Sequence, residues 1–184
     1  MNRALIIIVF VNTIFIFAAA LFGPLYAIYV ERISPNTIIH VGASVALFSF
    51  STAILTFVIT KSSDRFKETE LLLVYSFIIR AVGWLFYIFV SAIWQIYVIQ
   101  IILAFGEALG SPAFTALFSL HLDKGKYMNE WGKWISISLV AWGVGSFLGA
   151  ALVGFFGFKP LFASMFLLAL ISALIVYTQP RKLL

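Results

Sequence analysis

The sequence has no cysteine and little charge. Only 10% of its 184 residues are Asp, Glu, Lys or Arg, and 63% are apolar. Soluble domains carry about 25% charged and about 45–50% apolar residues. The lack of cysteine excludes a disulfide framework and a thiolate metal site. The shortage of charge, together with long apolar runs, excludes an ordinary soluble domain and predicts a membrane protein with several spans.

Six apolar segments are long enough to cross a bilayer as helices, which takes about 17–25 residues each. They predict an all-α membrane protein with a single six-span domain over residues 1–184. Barrel strands are excluded because they alternate and run to about 9–11 residues. The first run continues to Val30, too far for a signal peptide. The predicted spans are residues 4–30, 38–60, 71–91, 93–119, 134–157 and 160–179.

The basic residues lie unevenly at the ends of these segments. Placing the N-terminus in the cytoplasm puts nine of the twelve Lys and Arg residues at cytoplasmic ends: Arg3, Lys61, Arg65, Lys67, Lys124, Lys126, Lys133, Arg181 and Lys182. Arg32 and Lys159 fall at outer ends. Because cytoplasmic ends carry the excess of Lys and Arg, we expect a plasma-membrane protein (a cell inner membrane protein) with both termini inside. This topology explains the net charge of +5 without a nucleic-acid partner.

Arg80 and Glu107 are the charged residues inside the apolar segments. An ionised group at the bilayer centre costs about 2.5–3.5 kcal/mol on insertion scales, so each needs a partner or a wet cavity. Segments three and four are antiparallel neighbours, which puts the two residues at similar depth. They are predicted either to form a structural ion pair or, for Glu107, to bind a cation or proton in a central cavity.

Other polar and small residues also mark helix faces. Gln100, Glu107 and Ser111 share one face of segment four, and Asn12 adds an amide to segment one. A polar face on a membrane helix points away from lipid, towards other helices or towards water. In segment five, Gly145 and Gly149 form a small-xxx-small pair that lets a neighbouring helix approach closely.

Segments one and four also share a late proline, Pro24 in "FGPLYA" and Pro112 in "GSPAFTA". The two segments run in opposite directions. Interrupted spans at matching positions are typical of inverted repeats in transporters, so the pattern indicates two inverted three-helix repeats.

The loop after segment two contains Asp64-Arg65-Phe66, and segment four reads "GEALGSPAFTALFSL". With six spans and both ends inside, these features resemble the N-terminal half of a major facilitator superfamily transporter. Asp64 and Arg65 match that family's cytoplasmic signature, whereas Thr60 and Lys67 stand at its glycines. The resemblance implies a six-helix half bundle in which Asp64 and Arg65 form a cytoplasmic gate loop. Ala150 follows Gly149 where antiporters carry proline, which argues against antiport.

The resemblance implies transport of a small solute by alternating access, along a path lined by segments one, two, four and five. It makes Asn12, Gln100, Glu107 and Ser111 the candidate contacts for the solute or a proton. Family members have two six-span halves, so we expect a second six-span unit, from a homodimer or a separate half. The alternatives are a non-transporting membrane assembly or partner protein that kept the fold, or a transporter fragment.

An enzyme is not expected. His40 and His121 lie at opposite membrane faces, and neither HExxH nor GxSxG occurs. No catalytic residue, cofactor or metal site is therefore predicted, and the expected partners are the lipid bilayer, a small solute and the second unit.

Overall fold

The computed structural model describes residues 3–61 and 68–180, and every regular element in these ranges is helical. Six helical stretches within them are long and apolar enough to cross a membrane, which confirms the predicted all-α six-span fold. We number them span 1 (Arg3–Glu31), span 2 (Thr37–Lys61), span 3 (Thr69–Phe89), span 4 (Ile93–Leu120), span 5 (Tyr127–Phe156) and span 6 (Phe158–Tyr177).

The bundle has two ends, which we name by what they carry. The terminal end holds Arg3, Tyr177 and the connection 121–126. The distal end holds the connections 32–36, 90–92 and Gly157. Gly157 joins spans 5 and 6 at φ 82°, a left-handed conformation that glycine adopts without a Cβ clash.

Span 1 is interrupted and span 4 is not. Helix α1 (Arg3–Ala20) ends four residues before Pro24, a 3₁₀ turn follows at Gly23–Leu25, and α2 (Tyr26–Glu31) completes the span. Proline has no N–H for the carbonyl four residues earlier, here Ala20, and its ring crowds that carbonyl. Pro112 lies inside a continuous helix, α5 (Ile93–Leu120). The two matching prolines therefore differ in effect, because neighbouring helices can hold a proline-containing membrane helix together.

The remaining spans are mostly single helices. Spans 2, 5 and 6 are α3 (Thr37–Lys61), α6 (Tyr127–Phe156) and α7 (Phe158–Tyr177). Span 3 is α4 (Thr69–Phe86) followed by a 3₁₀ turn at Tyr87–Phe89. Span 5 begins at residue 127 rather than at the predicted 134. Its first two turns include Asn129, Glu130 and Lys133, so counting apolar residues does not reveal them.

The packing pattern is reciprocal between the two halves of the chain. Span 1 packs on spans 5 and 6, while span 4 packs on spans 2 and 3, and spans 3 and 6 pack on each other. Exchanging spans 1–3 with spans 4–6 leaves this pattern unchanged. That is the relation expected of two three-helix repeats.

Aromatic side chains close the core at the distal end. The Phe22 ring lies 4.9–6.3 Å from the rings of four other residues, which come from spans 1, 3 and 6: Tyr29, Tyr87, Phe158 and Phe162. Offset and edge-to-face ring pairs at such distances are favourable. Span 1 is therefore held against spans 3 and 6, whereas span 2 buries only Ser44 completely.

Candidate functional site

Arg80 of span 3 and Glu107 of span 4 meet halfway along the bundle. The Arg80 guanidinium donates a hydrogen bond from Nη1 to Glu107 Oε2, and the two groups form an ion pair. The Arg80 side chain is 13% exposed and that of Glu107 31% exposed. The structure thus brings together the two charged residues of the apolar segments and leaves the Glu107 side chain partly exposed.

Two glycines and a phenylalanine surround the Arg80 side chain. A Cβ on Gly106 would overlap Arg80 Cγ, and a Cβ on Gly110 would lie 2.5 Å from Ser76 Oγ. On the other side, the guanidinium carbon lies 3.9 Å from the centre of the Phe15 ring. A cation over an aromatic face is stabilised by about 0.5–2 kcal/mol, more when desolvated. Spans 1, 3 and 4 together therefore position this arginine.

Two other candidate residues lie close in depth to this pair. Asn12 is about one helical turn from Phe15, which contacts Arg80, and Ser111 is about one helical turn from Glu107. Asn12 is buried on span 1, three residues before Phe15. Ser111 is exposed on span 4, four residues after Glu107. Both hydrogen-bonding side chains therefore occur at a depth similar to that of the ion pair.

Gln100 belongs to a different cluster, nearer the distal end. Its Nε2 donates to Tyr26 Oη at 2.9 Å and to Tyr87 Oη at 3.4 Å. Tyr26 Oη in turn donates to Ser44 Oγ at 2.6 Å. We call Tyr26, Ser44, Tyr87 and Gln100 the distal polar cluster. It links spans 1, 2, 3 and 4, so the Gln100 amide is engaged within the protein.

Span 2 makes another side-chain contact at the same end, with span 4. His40 Nδ1 lies 2.7 Å from Tyr97 Oη, within hydrogen-bonding distance. The distal part of span 2 is thus held by two side-chain hydrogen bonds, although little of this helix is buried. The predicted gate residues Asp64 and Arg65 lie outside the residues that the structure describes.

Sequence reasoning did not single out Tyr26, Ser44 or Phe15. Tyrosine, serine and phenylalanine are common in membrane helices, and serine often serves only close packing. The one available signal was the position of Tyr26, two residues after the helix-breaking Pro24.

The Major Facilitator Superfamily model matches residues 5–183. The chain belongs to this superfamily. No curated protein and no solved structure matches it. Membership confirms the resemblance carried by the loop and by span 4. It makes the protein a multi-pass membrane protein of a transporter family, and Arg80 and Glu107 are then the charged pair inside a major facilitator half bundle.

Replacing Tyr26 by phenylalanine should destabilise this major facilitator bundle by about 1 kcal/mol. The change removes the hydroxyl that bonds both Ser44 and Gln100, and hydrogen bonds between membrane helices contribute about 0.6–1.7 kcal/mol. Unfolding in detergent, followed by circular dichroism, measures the difference. Tyr75→Phe is the matched control, because Tyr75 is 53% exposed. Equal stability of the two variants would contradict a stabilising role for the cluster.

Proposed function

We propose that this chain carries a small solute across the membrane by alternating access, together with a second six-span unit. The observation that carries the proposal is the partly exposed Glu107 side chain at mid-depth, within a chain of the major facilitator superfamily. In such transporters the substrate site lies near the bilayer midplane at the interface between repeats.

The exposure of Glu107 argues that lipid does not cover this face. A carboxylate in contact with hydrocarbon is costly even when one of its oxygens is paired, and ionisable groups in membrane spans almost always face protein or a water-filled cavity. The exposed part of Glu107 therefore needs another protein surface or a water-filled path. A second unit facing spans 1, 2, 4 and 5 supplies both.

Within this proposal, the polar residues have separate roles. Asn12, Glu107 and Ser111 contact the solute or a proton, while Arg80 holds the carboxylate in place. Gln100, the fourth candidate contact, has a structural role in this proposal as part of the distal polar cluster, because its amide already donates to two phenol oxygens.

The distribution of Lys and Arg supports a plasma-membrane orientation with the terminal end in the cytoplasm. In this orientation the distal end faces outside. The loop with Asp64 and Arg65 then lies on the cytoplasmic side, where we propose that it forms a gate contact.

Single cysteines can test the second unit directly, since the natural sequence has none. We expect Ile54→Cys on span 2 and Phe147→Cys on span 5, 65% and 74% exposed, to form disulfide-linked pairs in membranes. Leu174→Cys on span 6, 61% exposed, is the matched control and should stay monomeric. Gel electrophoresis without reductant measures the fraction of each variant that is disulfide-linked.

The mass of the linked product separates the two forms of the proposal. A linked product of twice the chain mass indicates a homodimer. A separate six-span chain forms a linked product of a different mass when it has a cysteine of its own at the contact. Linkage through Leu174→Cys alone would contradict a second unit on spans 2 and 5.

A further inference from the structure

Span 5 carries an exposed strip that changes from charged to apolar along its length. Lys126, Asn129 and Lys133 follow one another at helical spacing, and all three are exposed. They line an open surface groove together with Ser136 and Ile137. The same Ser136 and Ile137 line a second groove of about 450 Å³ between spans 1 and 5. The two grooves therefore form one continuous strip.

The second groove is apolar and follows from the way spans 1 and 5 meet. They are in close contact near the distal end, where Gly145 and Gly149 face Phe17, Ala20 and Leu21. Towards the terminal end a crevice opens between them, with walls formed by five further residues, Thr13, Phe17, Val140, Ala141 and Val144. The Thr13 hydroxyl already donates to Val9 O at 2.7 Å. The crevice thus offers little beyond hydrocarbon contact.

The length of span 5 places its charged part at the level of lipid headgroups. Its helix has 30 residues, about 45 Å at 1.5 Å per residue, against a hydrocarbon core of about 30 Å. The distal end is apolar, with exposed Phe155 and Phe156, so the excess length lies at the Tyr127 end. Trp131 and Trp134 occur there, as expected at a membrane–water interface.

Of the two acidic residues near these lysines, Asp123 interacts electrostatically with Lys126, and Glu130 is buried. Glu130 is 1% exposed, and its Oε2 accepts a hydrogen bond from the Asp123 backbone N–H at 2.8 Å. Glu130 is therefore turned into the protein, whereas Lys126 and Lys133 are exposed on the strip.

We propose that this strip binds one anionic phospholipid. Its phosphate would lie between Lys126 and Lys133, within reach of the Asn129 amide, and one acyl chain would fill the crevice between spans 1 and 5. A free phosphate would leave the crevice unfilled, and a neutral apolar molecule would leave the lysines unused. Only an amphiphile with an anionic head matches both parts of the strip.

Native mass spectrometry of the detergent-purified protein tests this. Phosphatidylglycerol and phosphatidylcholine with identical acyl chains are added in equal amounts. Since a lysine near the surface contributes about 1 kcal/mol of attraction to anionic lipid, two should favour bound phosphatidylglycerol at least about tenfold. The variant K126Q/K133Q should lose this preference. The matched control K61Q/K159Q removes the same charge from exposed lysines elsewhere and should keep it.

A second variant tests the crevice separately. Val140→Trp, at an exposed position, should fill the groove and lower the binding of both lipids without unfolding the protein. Equal binding of the two lipids by the natural sequence would overturn the proposal, and so would an equal loss of preference in the two double-lysine variants. Dimers that carry no lipid would also overturn it, because the second unit, proposed to face span 5 at Phe147, would then cover the strip as well.

Discussion

Replacing Gly149 by alanine is expected to lower the free energy of unfolding by about 3 kcal/mol. The added Cβ would fall on the backbone of Leu21 in span 1, overlapping its carbonyl oxygen. Overfilling a packed contact costs about 1–3 kcal/mol, occasionally more, and a backbone atom cannot rotate away as a side chain can. Spans 1 and 5 would have to separate.

The neighbouring glycines provide graded controls. A Cβ on Gly145 would come within 2.8 Å of the Phe17 carbonyl oxygen, so Gly145→Ala should also destabilise the protein, though less. A Cβ on Gly143 would meet nothing within 4 Å. Gly143→Ala should therefore be neutral or slightly stabilising, since alanine favours helix over glycine by about 1 kcal/mol.

Detergent-solubilised variants can be compared by thermal or denaturant unfolding, followed by circular dichroism. From most to least stable, the expected order is Gly143→Ala, Gly145→Ala and Gly149→Ala. If Gly149→Ala is as stable as Gly143→Ala, spans 1 and 5 do not pack as described.

The sequence was sufficient to predict the class of fold, because the length and continuity of an apolar run depend on the bilayer rather than on neighbours. The Gly145–Gly149 pair likewise predicted a close helix contact, since small residues permit one wherever the partner comes from. The sequence alone does not identify which helix packs against this pair. Only the folded chain shows that span 1, around Leu21, fills this role.

Gln100 shows where sequence reasoning stops. Its place on the same helix face as Glu107 made it a candidate solute contact, but the partner of an amide depends on which neighbouring helix meets it. Here Tyr26 and Tyr87, from spans 1 and 3, accept its hydrogen bonds. The same limit applies to the two prolines, which look equivalent in sequence and yet break span 1 and leave span 4 continuous.

Replacing Glu107 by glutamine is expected to abolish proton-driven uptake. Of the residues proposed to contact the solute or a proton, Glu107 is the one whose side chain can take up and release a proton, and an amide cannot do so. Uptake by proteoliposomes under an imposed pH gradient measures this effect. If the pH dependence of uptake stays the same, Glu107 is not the coupling group.

The same substitution should also reduce stability, which has to be separated from the loss of transport. Breaking a buried ion pair by removing one partner costs about 3–5 kcal/mol, because the remaining charge has no counter-charge. The Phe15 ring, 3.9 Å from the guanidinium carbon, should keep the loss near 3 kcal/mol.

The double variant Arg80→Met, Glu107→Gln resolves the two roles. Methionine removes the unpaired charge and fills a similar volume, so most of the lost stability should return, as when buried ion pairs are replaced by packed apolar residues. Proton-driven uptake should not return with it, because the carboxyl group is still missing. If the double variant recovers both stability and pH-dependent uptake, the pair serves only to hold spans 3 and 4 together, and the proton must be carried by another residue.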